Sequence, residues 1–156
     1  MNFILFQLER LRTTMAYHIK QLLIVLLAIT MPTIHTNGGT IETRTALELQ
    51  LSDVFRRTME HWRYSYNSLD GRKAGSACIH WEQIDQGFLD DGIFEAIGFS
   101  YSMAKEDGAI RVATQGCDEM ARHYELTGCT CEVVLVDDKT QVEIPDSLIT
   151  RLQIDQ

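Results

Sequence analysis

Residues Ile93 to Met103 read Ile-Phe-Glu-Ala-Ile-Gly-Phe-Ser-Tyr-Ser-Met. Side chains alternate across a strand, so Ile93, Glu95, Ile97, Phe99, Tyr101 and Met103 share one face. The other face carries Phe94, Ala96, Gly98, Ser100 and Ser102, most of them small. A bulky face opposite a small one predicts a strand with another element packed closely against the small side.

Reading outward from this strand gives the remaining elements. Lys105-Glu-Asp-Gly108 turns the chain into a helical stripe of Ile110, Ala113, Cys117, Met120 and Tyr124, with a stop near Gly128. Glu132 to Val136 reads as a strand, Asp137-Asp-Lys-Thr140 as a turn, and Gln141 to Ile144 as the returning arm of a hairpin ended by Pro145. Asp146 is placed to cap a last short helix with Leu148, Ile149 and Leu152 on its apolar side.

Upstream, Thr45-Ala-Leu-Glu48 has capping-box spacing. Behind it Leu47, Leu51, Val54, Phe55, Thr58, Met59, Trp62 and Tyr66 recur at three- and four-residue steps, predicting an amphipathic helix from Ala46 to Tyr64. Asp70-Gly71 breaks it, and the small residues from Lys73 to Ser76 read as a loop. The stretch from Ala77 to Asp91 reads two ways, as strand at Cys78-Ile-His-Trp81 or as a short helix through Ile84, Phe88 and Leu89. The expected fold is therefore α+β: a small sheet of about three strands, with a C-terminal hairpin, covered on one side by two amphipathic helices.

The chain has 156 residues, 45% of them hydrophobic and 23% charged, which suits one globular domain and excludes wholesale disorder. Its formal net charge of −8 counts against unaided nucleic-acid binding. Residues Gln21 to Met31 form a short uncharged run, preceded by His18 and Lys20 and followed by Pro32. Spanning a bilayer takes about 20 apolar residues, so this run fits the apolar core of a secretory signal instead. Met15 heads a compact basic segment and is the expected start of translation. The expected division is a leader over residues 1–38 and one domain over 39–156. An uncleaved leader would make the same run a membrane anchor and the chain an envelope-anchored accessory protein. Without residues 1–36 the chain keeps 11 basic and 21 acidic groups, a charge of −10 that favours a basic protein partner.

All four cysteines, Cys78, Cys117, Cys129 and Cys131, lie beyond the leader. An even number in a short exported chain predicts disulfides. A bond between Cys129 and Cys131 would close too small a ring. A short turn between helix and strand favours Cys117–Cys129 with Cys78–Cys131; the alternative is Cys117–Cys131 with Cys78–Cys129. Zinc held by Cys117, Cys129, Cys131 and His123 is the rival reading, set aside because the usual Cys-x2-Cys and His-x3-His spacings are missing. No cofactor is called for.

Gly98-Phe-Ser-Tyr-Ser102, Ala113-Thr-Gln-Gly-Cys117 and Cys129-Thr-Cys-Glu-Val-Val-Leu-Val136 together resemble a module of small exported bacterial proteins of unknown function. That module runs aromatic-small strand, Cys-bearing helix, second Cys, Val-rich strand. The resemblance covers about a third of the chain, from Ile97 to Pro145. It implies a stapled periplasmic or secreted domain and carries no catalytic residues. Cys78 and the doubled Cys129 and Cys131 depart from its two-cysteine pattern.

Catalytic constellations are few. Cys78-Ile-His80 sets a thiol beside an imidazole, but an oxidised Cys78 cannot act as a nucleophile. His61 and His123 read as surface side chains beside aromatic neighbours. Asp85, Asp90, Asp91 and Glu95 concentrate carboxylates that could supply acid and base functions, although no calcium-loop spacing is present. The favoured function is a non-enzymatic exported binding domain with an acidic surface. A small hydrolase using His80 or those four carboxylates is the alternative, and it requires a pocket that joins them.

Overall fold

The computed structural model describes residues 38–154. The apolar run 21–31, Met15 and the other residues of the expected leader before Gly38 lie outside them. The class is α+β, with one antiparallel four-stranded sheet and helices packed on it. In chain order the elements are α1 (Gly38–His61), β1 (Arg72–Ile79), α2 (Gln86–Asp91), β2 (Ile97–Met103), α3 (Glu106–His123), β3 (Thr130–Val136), β4 (Lys139–Thr140) and α4 (Asp146–Ile154). Single 3-10 turns cover Tyr66–Ser68 and Trp81–Gln83. The strands lie in the order β2-β1-β3-β4.

The residues read as a loop, Lys73 to Ser76, belong instead to β1, one of the two inner strands. They are small because two layers press on them. Ala74 packs among Ala109 and Ala113 of α3, while Ala77 and Ile79 join the large cluster built from α1 and α4. A Cβ at Gly75 would overlap the ring of Phe55 from α1. Low bulk at a pinched centre looks, in a sequence, the same as low bulk in a turn.

Helices therefore cover both faces rather than one. α3 lies on the face of Ala74, Cys78 and Gly98. α1 and α4 bury Leu51, Phe55, Met59, Leu148 and Leu152 with Ala77, Ile79, Ile97 and Leu135 on the other. The small face of β2 meets its close neighbour as expected: the added Cβ of an alanine at Gly98 would overlap the Ala113 carbonyl and the Cys117 amide of α3. Ser100 on the same face donates from Oγ to the Ala109 carbonyl, 2.8 Å away.

β3 runs antiparallel to β1 with Ser76 opposite Val133 and Gly75 opposite Leu135, so Val134 is an inserted residue. This bulge lets Val134 and Leu135 both reach the α1 core, while Val133 and Val136 stay on the α3 side. The expected second hairpin arm shrinks to Lys139–Thr140. Gln141 still donates its N–H to Val134, but Val142 and Ile144 then turn into the core, and the Ile144 carbonyl accepts from Arg44 instead of a strand.

α1 starts before the position expected. Thr45 to Glu48 lies inside it, and Arg44 in the preceding turn is held by Ile144 and by the carboxylate of Asp146. Its end is a Schellman motif: Arg63 takes φ 65°, Arg63 donates N–H to Glu60, and Tyr64 donates N–H to Met59. α3 ends the same way around Glu125 at φ 54°, three residues before the glycine expected to stop it.

Candidate functional site

β1 ends at Ile79, and His80 leads into the 3-10 turn of Trp81–Gln83. That turn and the segment ahead of β2 enclose a cleft of about 210 Å³. Ile84, Phe88, Ile93 and Phe94 line it with apolar side chains, and His80 and Glu95 add polar groups. His80 Nε2 stands 4.0 Å from Glu95 Oε2, the outer limit of an ion pair, and the Glu95 side chain is 66% exposed. The structure thus brings together two of the residues considered for chemistry.

The other three carboxylates serve elsewhere. Asp85 caps α2, its Oδ1 accepting the Phe88 N–H at 2.7 Å, and Asp90 accepts from the Gln86 side chain at 2.8 Å. Asp91 is exposed. Of the four carboxylates only Glu95 lines the cleft, so among the described residues the set does not converge there on one reacting centre. His61 is exposed at the end of α1, and His123 packs on the ring of Tyr124.

The four cysteines converge on the α3 face. They pair as Cys78–Cys129 and Cys117–Cys131, with Cα separations of 5.3 and 6.0 Å. This is the alternative pairing, not the favoured one. Cys131 sits across from Cys78 in the sheet, on the face that α3 covers, where Cys117 descends onto it. Cys129 precedes β3 and bonds to Cys78. Each bridge joins a buried sulfur, Cys78 or Cys117, to a half-exposed one in the 129–131 segment. Cys78 is therefore no free nucleophile for His80. Around the sulfurs lie Ala96, Met120, Ala121 and Leu126.

One buried charge went unread in the sequence. Lys73 is only 5% exposed, yet its Nζ pairs with Asp138 at 3.1 Å, donates to the Tyr66 carbonyl at 3.2 Å and lies 4.9 Å from the centre of the Tyr66 ring. Its partners come from the chain before β1 and the turn after β3, so only the tertiary fold assembles them.

These features define a small α+β domain cross-linked by two disulfides, with a modest cleft beside one of them. No family model, curated protein or solved structure matches the chain. Paired cysteines fit an oxidising location, extracellular or periplasmic. Among the described residues no helix is long and apolar enough to cross a membrane.

Proposed function

We propose that this chain is an exported, non-enzymatic binding domain, held rigid by its disulfides, that presents an acidic surface to a basic protein partner. The observation that carries this reading is the pairing of all four cysteines in two bridges, a state that reducing compartments do not sustain. Charge supports the partner: residues 74–104 contain Glu82, Asp85, Asp90, Asp91 and Glu95 and no lysine or arginine. Like potentials repel and opposite ones steer association, so a basic surface would be captured faster at low salt. The resemblance to small exported bacterial proteins points the same way, as does the short apolar run after Lys20, read as a cleaved leader and not as an anchor.

Affinity capture from a periplasmic or culture-supernatant extract, at low and at moderate salt, tests the reading. A basic partner that is retained at low salt and released at moderate salt supports it; capture of no salt-sensitive partner overturns the acidic-face version. N-terminal sequencing of the exported product decides between leader and anchor, a start near Gly38 or Gly39 meaning cleavage.

A second reading has one observation in its favour, the placing of His80 and Glu95 on one cleft. A small hydrolase built there would lose its activity in His80→Ala. A chain inactive on ester, amide and glycoside substrates removes that reading.

A further inference from the structure

The two bridges are not independent staples. The Sγ atoms of Cys78, Cys117 and Cys131 all lie within 4.8 Å of one another, and Cys129 Sγ is bonded to Cys78. Three sulfurs from β1, α3 and β3 thus occupy one small volume, and the fourth, from the segment ahead of β3, is bonded into it. Tetrahedral zinc with sulfur ligands has Zn–S distances of about 2.3 Å, which sets neighbouring sulfurs about 3.8 Å apart. The sulfurs of Cys78, Cys117 and Cys131 lie at most about 1 Å beyond that spacing, while the two sulfurs of each opened bridge, about 2 Å apart when bonded, must separate by roughly 2 Å.

We propose that the reduced chain binds one Zn²⁺ through the thiolates of Cys78, Cys117, Cys129 and Cys131. This goes beyond the export reading and does not depend on it. The balance is simple. A dithiol reductant opens each bridge, two S–H bonds forming for every S–S bond broken, while the reductant closes to its own disulfide. Zinc then displaces four thiol protons and makes four Zn–S bonds.

Two features prepare the site. The positions of the sulfurs are held by contacts other than the bridges: Cys78 and Cys131 are directly paired across β1 and β3, and Cys117 sits where α3 backbone presses on Gly98. Burial of Cys78 and Cys117 among Ala96, Met120 and Leu126 keeps water from competing for the metal. Arg122 and Asp118 both line the cleft over Cys129 and Cys131, so the one positive charge there is matched by a carboxylate and the site relies on its four sulfurs. Sulfur ligands of this kind select soft cations over calcium or magnesium. The cysteines fail the usual Cys-x2-Cys pattern because the fold, not local sequence, collects them. Neither His123, weighed to make up four ligands in number, nor Cys129 belongs to the three-sulfur group, and Cys129 joins it through its bond to Cys78.

The test uses the full chain, reduced anaerobically with a dithiol and freed of it. Titration with Co²⁺ as a spectroscopic probe is expected to give thiolate-to-metal charge-transfer bands that saturate at one equivalent and are lost on adding one equivalent of Zn²⁺. The oxidised chain is expected to show none, and Cys117→Ser or Cys131→Ser to lose the saturation. Because a serine variant can unfold, alkylation of the reduced wild-type chain supplies a second readout. Zinc protection of all four thiols, counted by mass, supports the proposal. Protection of fewer, no saturable metal uptake, or full uptake by a folded Cys117→Ser chain overturns it.

Discussion

Gly98 is the residue on which the packing of α3 turns. Gly98→Ala would drive a methyl into the Ala113 carbonyl and the Cys117 amide, so α3 must move away. Overpacking of this kind costs about 1–3 kcal/mol, measured as a lower urea midpoint. Gly116 faces the same junction from the helix, but a Cβ there stands 3.5 Å from the Gly98 Cα, an ordinary contact. Gly116→Ala is expected to be neutral or to stabilise by up to about 1 kcal/mol through helix propensity. Tyr66 offers a second residue-scale test. Its hydroxyl is buried without a hydrogen-bond partner among the described residues. Burial first, then the charges of Asp138 and Asp137, push its ionisation well above the usual phenol range. The folded state keeps the phenol neutral while the unfolded chain ionises near its ordinary value of 10.0. This contribution to stability is therefore present below pH 10 and is lost as pH rises past it. Tyr66→Phe should cost less than about 1 kcal/mol at neutral pH, since no hydrogen bond is lost. Above pH 10 it should lose stability less steeply than the wild type, as followed by denaturant unfolding across pH.

At the scale of elements, an apolar run marked β3, while sequence periodicity located β2 and both long helices. It misjudged their ends for a definite reason. Arg63 and Glu125 occupy left-handed positions that favour glycine, so a search for glycine stops overlooks them. A side chain in that region costs roughly 1–2 kcal/mol. Glu125→Gly should recover about 0.5–1 kcal/mol of this, the rest being offset by the greater freedom of glycine in the unfolded chain. Thermal or urea unfolding of that variant checks the sign. β1 was illegible for a different reason. Alternation marks a strand with one wet face, whereas Ala74 to Ile79 is buried on both faces and has no polar side to alternate with. The bulge at Val134 breaks the period in β3 and is visible only through its partner strand.

For the whole molecule, the small-faced strand foretold a close neighbour, and the even cysteine count foretold bridges. Which sulfurs meet depended on β1, whose Lys73 to Ser76 was read as a loop and whose Cys78 end was left open between strand and short helix, so the favoured pairing was drawn without a continuous inner strand. The bridges span 51 and 14 residues of sequence. If they act mainly by restricting the unfolded chain, replacing Cys78 and Cys129 by serine should cost about 1 kcal/mol more than replacing Cys117 and Cys131. Equal losses in denaturant unfolding would mean that strain or burial of the serines outweighs chain entropy. The close seat of α3 also links two residues distant in sequence. Cysteine side chains are short, and a bridge needs Cα atoms within about 7 Å; Cys117 comes within 6.0 Å of Cys131 where its helix rests on a bare backbone at Gly98. A descendant that acquired any side chain at position 98 would lift the helix and leave positions 117 and 131 too far apart to join. Glycine there and the helix-to-strand cross-link should thus be inherited, or discarded, as a pair.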